Sequence, residues 1–525
     1  MTFKGTLLPY QPEAVDAMCE RGSMLVAYDL GLGKTVLTIA AIERLMDEKK
    51  ITEPGIVICL SSLKYQWADQ IRKFTDGTSN PLVIDGSPKK RAEQYAKALT
   101  GEYDYVIINY EQVVNDWDQV RALPQGFIVC DEATAIKSFR SKRSKHVKKL
   151  ESSYKFALTG TPVENGKPEE LYSIMQFVDS KVLGRFDLFD QTFIVRNRFG
   201  GVERYRNLPL LNKKLGEACV RKRQSDPDVS PFLPETIFAE PILVPFDSPS
   251  KKLYQQIARD LLSDLDEALD SFGTAFDIFA HYGQQSDQGG PMDELRGRIM
   301  SKLTTLRMLC DHPDLIRASG SAYRPMLGQG SKYAAELLEQ GLLDQITKTP
   351  KLNVLSSYVT EFLDNYEHNK LVIFTSYVGM TNIIKDALSK YGAVTYTGQM
   401  NAEAKEKAKV HFQTSPDCRI FISSDAGGYG VDLPQANLLI NYDIPWNAGL
   451  AIQRNGRIRR ASSTWGSIVI QDIIMQGSIE ERQHAMLAQK IAVANAVVDG
   501  EGINEKGGVT MNAGTLRTFL QEAIL

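Results

Sequence analysis

Hydrophobic positions in this chain follow two alternating textures. Short apolar runs, many of them β-branched, are separated by longer stretches in which apolar residues recur every three or four positions. Within the first 160 residues the runs are MLVAY, GIVICL, YVIIN, FIVC and KFALT, with helical patterns such as TVLTIAAIERLMDEKK between them. Apolar runs without polar alternation predict strands covered on both faces, and strands alternating with helices predict a parallel sheet. A second series, LVIFTS, RIFISS, NLLINY and SIVIQD, runs from Leu371 to Asp472. Between the two, residues 251–281 and 293–315 carry helical periodicity without strand runs, separated by the polar, glycine-containing bridge YGQQSDQGGP, which reads as a mobile loop. The expected fold is α/β: two lobes with parallel β-sheets and a helical insertion between them. The expected boundaries are 1–225 for the first lobe, 226–345 for the linker and insertion, and 346–525 for the second lobe with a C-terminal tail.

Composition narrows the partners. With 525 residues, 43% hydrophobic and 24% charged, the chain has the make-up of a soluble protein with an ample core. The formal net charge of −3 gives no global positive field, so any polyanion must be held by a local groove. The six cysteines include no C-x-x-C pair, which argues for free thiols and against a zinc site or disulfide frame. No uncharged apolar run approaches membrane-spanning length, and the N-terminus has no apolar leader segment. The expectation is a cytoplasmic protein with no membrane partner.

Candidate chemistry sits where the strand runs end, the edge at which open parallel sheets bind ligands. VAYDLGLGKT, FIVCDEAT and FALTGTP each pass there from apolar to polar or glycine residues, gathering Lys34, Thr35, Asp131, Glu132 and Thr159 on one edge. Gly31 and Gly33 let backbone wrap a phosphate, and the helix that follows points its positive end at it. Lys34 supplies a point charge for β- and γ-phosphates and Thr35 a hydroxyl for Mg²⁺, although Tyr28 stands where the strict phosphate-loop pattern has glycine. The paired carboxylates can divide labour, Asp131 toward Mg²⁺ through water and Glu132 toward the attacking water. In the second lobe, IQRNGRIRR sets Arg457 and Arg460 three apart, on one face if the run is helical. Permanently charged, planar guanidinium groups suit a phosphoryl transition state.

Taken together, YDLGLGKT, DEAT and LTGTPVENG resemble motifs I, II and III of superfamily II helicase-like ATPases, and more narrowly the SWI/SNF-like (sucrose-non-fermenting) group of DNA translocases. LLPYQPEAV is similar to that group's glutamine motif, PEELYSIMQFV and CVRKRQSDPDVSPFLPETI to the segments after motif III, and LRMLCDHPDLI to its L-R-x-x-C-N-H-P-x-L signature. IQRNGRIRR resembles motif VI, with Gln453, Gly456, Arg457 and Arg460 in register. The resemblance implies two RecA-like lobes that enclose ATP and Mg²⁺. It places Gln11 on the adenine and Gln453 at the nucleotide, and gives coupling roles to Thr134, Thr159 and Thr161. It implies phosphate contacts from SSLK (Ser62, Lys64), FTSY (Ser376) and SSDAGGYGVDL (Ser424), contacts that position without reading sequence. The run KSFRSKRSKHVKK, directly after DEAT, is a further candidate contact. His312 and Trp446 read as structural.

The implied activity is that of an ATP-dependent double-stranded DNA translocase acting as a monomer. The alternatives are a strand-separating superfamily II helicase and an ATP-gated DNA clamp with weak turnover. The chain departs from the group in Tyr28-Asp29 before the phosphate loop, in Thr134 after the acidic pair, and in Asp425 and Asp432 of motif V. It reads as a compact, divergent member, of bacterial or viral origin.

Overall fold

A computed structural model describes residues 2–196, 202–273, 290–324, 328–425, 430–500 and 513–524. In the first lobe the strands are β1 (Ser23–Tyr28), β2 (Gly55–Cys59), β3 (Pro81–Val83), β4 (Tyr105–Asn109), β5 (Ile128–Asp131) and β6 (Lys155–Leu158). A small hairpin, β7 (Ile194–Arg196) with β8 (Val202–Tyr205), precedes β9 (Cys219–Lys222). The sheet order is β3-β4-β2-β5-β6-β1-β9, parallel throughout. Val57, Tyr105 and Val129 face one buried cluster while Ile56, Ile58 and Ile128 face another. That two-sided burial is why these runs lack polar alternation. Because β5, β6 and β1 are neighbours, the three motif-bearing strand ends lie side by side.

The second lobe has β10 (Glu235–Phe238), β11 (Ile242–Val244), β12 (Leu371–Thr375), β13 (Ala393–Tyr396), β14 (Ile420–Ser424), β15 (Leu438–Asn441) and β16 (Ser467–Met475). Its order is β10-β16-β15-β12-β14-β13, with β11 on the later half of β16. Both predicted strand series are present.

The organisation differs from expectation in two places. β10 and β11 fall in the stretch read as linker, yet they pair with β16. The helices Ser248–Phe272, Pro291–Asp311, Pro313–Ser321 and Lys332–Glu339 share one apolar core with β12, β14 and β15, so the insertion is built onto the second lobe. The segment CVRK forms the edge strand β9 beside β1, within the expected first lobe. The helix Ile479–Val498 starts in the second lobe's core but ends with Ala496 and Val497 in the first lobe's core. Asn212 closes it there, donating to the carbonyls of Val497 (3.2 Å) and Val498 (2.8 Å). Of the glycine-containing bridge, residues 282–289 lie outside the described residues, as do 426–429 of the motif V segment. Among the described residues no helix is long and apolar enough to cross a membrane.

Candidate active site between the two lobes

β1 ends at Tyr28, whose buried ring donates its hydroxyl to the carbonyl of Tyr10 (3.1 Å). A large side chain is accommodated there because the phosphate-wrapping turn begins only afterwards. Gly31 (φ +81°) and Gly33 (φ +79°) adopt left-handed backbone that β-carbons disfavour. At Gly33 a β-carbon would also lie 2.3 Å from Gln11 Nε2. The helix Lys34–Asp47 starts at once, with Thr35 in its first turn. The Lys34 ammonium folds back on the loop, donating to the carbonyls of Tyr28 (2.8 Å) and Asp29 (3.2 Å). Burial lowers its pKa, and Glu132 and Asp131 oppose that.

Asp131 ends β5. Its Oδ2 accepts from the Trp67 indole Nε1 (2.8 Å) and its Oδ1 from the Glu132 N–H (2.9 Å). Tyr110, just after β4, donates its hydroxyl to the Asp131 carbonyl (2.7 Å). Glu132 is itself left-handed at φ +50°, a conformation that costs a side-chain-bearing residue about 1–3 kcal/mol. Its Oε2 is buried without a hydrogen-bond partner among the described residues. Burial first, and the Asp131 charge second, push the Glu132 carboxyl up to about 7, against the pull of Lys34 and Arg457. Burial likewise raises the Asp131 carboxyl, and the Trp67 hydrogen bond holds it down.

The second lobe closes over this edge. The helix Ala448–Asn455 stops before the arginines, so Arg457 and Arg460 lie on the turn beyond it and not on one helical face. Both are buried. Arg460 Nη1 sits 2.7 Å from where a Gly31 β-carbon would be, and Arg460 Nη2 pairs with Asp432 at 2.5 Å. The divergent Asp432 thus holds the guanidinium near the loop. Gln453 is buried with its Oε1 unpartnered among the described residues. Gln11 braces the loop, with Oε1 accepting from Leu8 N–H (2.9 Å) and Nε2 donating to the Leu32 carbonyl (3.0 Å).

Between the lobes, Glu164 pairs with Lys137, accepts from Asn447 Nδ2 (3.4 Å), and offers its carbonyl to Gly449 N–H (3.3 Å). The buried Thr159 hydroxyl accepts from Thr161 N–H (3.1 Å), and Thr161 Oγ1 is buried without a partner among the described residues. Thr134 lies in the short turn Ala133–Ile136, where its carbonyl accepts from Lys137 N–H (3.1 Å). A cavity of about 360 Å³ runs behind the phosphate loop, lined by Asp29, Thr161, Arg221, Arg459 and Asp499 among others.

The polyanion contacts fare unevenly. Ser62 is exposed, in a turn facing the second lobe. Lys64 is not presented to a phosphate: it is buried, donating to the Ile84 carbonyl (2.8 Å) and paired with Asp85 (2.7 Å). Ser376 donates to Asp443 (2.6 Å) and accepts from Arg454 (3.2 Å) and Arg307 (3.3 Å), which ties it into a buried ionic knot. Ser424 is buried at the end of β14. The Ser376 hydroxyl follows an apolar strand into a charged cluster that spacing alone does not reveal, and the Ser424 hydroxyl is buried without a partner among the described residues. Asp425, at the position where the group carries a base, accepts from Arg454 Nε (2.6 Å). Of the basic run, Lys137, Arg143 and Lys148 are engaged by Glu164, Glu111 and Ser173. His312 caps the helix Pro313–Ser321, and Trp446 packs under the Arg307 guanidinium.

What sequence reasoning passed over is Trp67, Glu164, and the pairing of Arg221 with Asp29 and Asp499, both ion pairs at 2.6 Å. Trp67 carries a core signal through its spacing with Ala68 and Ile71, but nothing in the sequence marks where its N–H points.

The SNF2-related domain matches residues 10–315, and the Helicase conserved C-terminal domain matches residues 351–462. The chain belongs to the SNF2-related family. YwqA of Bacillus subtilis (strain 168), whose assigned name offers an ATP-dependent helicase/translocase, is 25% identical over 510 residues, 95% of this chain and 50% of that protein. The mouse DNA repair and recombination protein RAD54-like is 26% identical over 536 residues, 94% of this chain and 66% of that one. Among solved structures, the Pyrococcus furiosus Hef helicase domain superposes with a TM-score of 0.50 at 18% identity, covering 91% of this chain and 97% of that one. The paired parallel sheets of the SNF2-related chain thus have a counterpart in a helicase domain. The chain spans half of one and about two thirds of the other of these curated relatives.

Proposed function

We propose that this SNF2-related protein is an Mg-ATP-driven motor that grips double-stranded DNA by its phosphates and moves along it without reading sequence or separating strands. One observation carries the reading: beside the phosphate loop and its lysine lies a buried first-lobe carboxylate, Glu132, and the second lobe brings the buried Arg460 guanidinium against Gly31 of that loop and the buried Arg457 charge toward Glu132. The names borne by the relatives, a helicase/translocase and a DNA repair and recombination protein, support the substrate class.

The donors present fit Mg²⁺, a hard cation that takes hydroxyl and carboxylate oxygens. Thr35 and Asp131 would hold it, and it would neutralise charge on the β- and γ-phosphates. Every other role falls to the chain's own side chains. Lys34 exchanges the carbonyls of Tyr28 and Asp29 for the substrate's phosphate oxygens. Glu132, whose Oε2 has no partner among the described residues, accepts the proton of the attacking water. Arg457 and Arg460 stabilise the equatorial charge of the transferring group. Since these groups belong to different lobes, hydrolysis requires closure. Closure does work only if the DNA grip differs between the open and closed states.

ATP turnover measured with duplex DNA, single-stranded DNA and RNA tests the substrate. Duplex stimulation that grows with duplex length, together with displacement of a third strand from a triplex, is the expected result. Stimulation by RNA alone, or turnover independent of length, overturns the reading.

A further inference from the structure

The helix Lys64–Phe74 has two ends of different use. Its N-terminal turn, Ser61–Leu63, touches the second lobe: a β-carbon on Gly430 would lie 2.3 Å from Leu63 Cδ2 and 3.9 Å from Ser62 Oγ. Two tethers fix that end. Asn109 Nδ2 donates to Ser61 Oγ (2.8 Å), and Lys64 is clamped on the Ile84 carbonyl and Asp85. One turn further on, Trp67 is 1% exposed and belongs to the same buried first-lobe cluster as Ile71, Val129 and Leu158. Its only polar atom, Nε1, is 2.8 Å from Asp131 Oδ2. Asp131 Oδ1 is meanwhile held by the Glu132 N–H. Each carboxylate oxygen thus has one fixed donor and keeps its remaining lone pair in a defined direction.

We propose that Trp67 is a positioning residue for the metal-binding carboxylate: its indole N–H orients Asp131, and the helix that carries it links that orientation to the lobe–lobe contact at Ser62, Leu63 and Gly430. The proposal rests on the reading of Asp131 as an Mg²⁺ group. A partner behind a metal-binding carboxylate fixes the ligand's orientation, and removing such a partner typically lowers metal affinity about 10–100-fold. A rigid helix is suited to this link because a shift at its first turn is carried to its second.

The test uses the full chain and a fluorescent, non-hydrolysable ATP analogue, titrated at a series of Mg²⁺ concentrations and separately in EDTA. Trp67→Phe keeps an aromatic ring and loses the N–H. A second variant, site-specific benzothienylalanine at position 67, keeps the bicyclic shape with sulfur in place of the N–H, and so guards against a packing defect. The expected result in both is an Mg²⁺ midpoint raised about 10–100-fold, with analogue affinity in EDTA and thermal midpoint unchanged. An unmoved Mg²⁺ midpoint overturns the proposal. So does a loss of affinity in EDTA that accompanies a lower thermal midpoint, which marks Trp67 as packing alone. Absence of Mg²⁺-dependent binding in the unaltered chain would instead sink the ATPase reading itself.

Discussion

Arg460 of the second lobe lies against Gly31 of the first, its Nη1 2.7 Å from the point a Gly31 β-carbon would occupy. The contact is possible because Gly31 has no side chain and holds φ +81°. It brings a permanent cation to the phosphate-binding loop from a part of the chain more than 400 residues away.

Arg460→Ala is expected to bind ATP within a few-fold of the parent and to lose turnover by about 10³–10⁵, the range typical of arginine fingers. Single-turnover rates alongside equilibrium nucleotide binding separate the two. Gly31→Ala should fail earlier, at binding, because its β-carbon meets both a disfavoured φ and the Arg460 guanidinium.

Glu132→Gln keeps the shape of a buried side chain and removes the base. Analogue binding should persist while turnover falls by about 10²–10⁴. Retained turnover under saturating ATP would take Glu132 out of the chemistry.

Lys351 is buried between Asp311 (3.0 Å) and Glu480 (2.5 Å), joining the helical insertion to the helix that crosses between lobes. Burial raises both carboxyls, with Lys351 opposing. Lys351→Met leaves two buried carboxylates facing each other, a loss of about 3–5 kcal/mol. Urea unfolding followed by tryptophan fluorescence should show a lower midpoint, and the deficit should shrink at acid pH as the orphaned carboxyls take up protons.

His312 caps its helix by accepting the Asp314 N–H at Nδ1 (3.1 Å), and burial lowers its pKa below the usual 6.5. The folded form therefore favours neutral imidazole. The stability it contributes is complete above about pH 6.5 and is lost as pH falls from there through the depressed folded value. His312→Asn preserves a capping acceptor without titrating, whereas His312→Ala should lose about 1 kcal/mol at neutral pH. Thermal midpoints at pH 8 and pH 5.5 should converge between parent and His312→Ala, while His312→Asn gains on the parent at the lower pH. A parent-to-Ala gap that is the same at both pH values would contradict this account.

Both sheets and the phosphate loop could be read in the sequence because each is a local statement. β1 and β12 are apolar runs that only a two-sided sheet can bury, and Gly31 and Gly33 mark backbone that β-carbons disfavour. The same local reading paired Asp131 with Glu132 at the end of β5. It could not say which way Lys64 points, because a lysine after a strand serves a phosphate or an aspartate equally well, and Asp85 decides it. It placed the insertion between the lobes, since periodicity shows that a helix has an apolar face and not what covers that face. The distances from Arg460 to Gly31, from Trp67 to Asp131 and from Arg221 to Asp29 and Asp499 join residues remote in the chain. Amino-acid order fixed the elements through burial and backbone freedom. Only tertiary packing chose the partners of each charge, because a buried ion takes whichever counter-charge the assembled fold sets beside it.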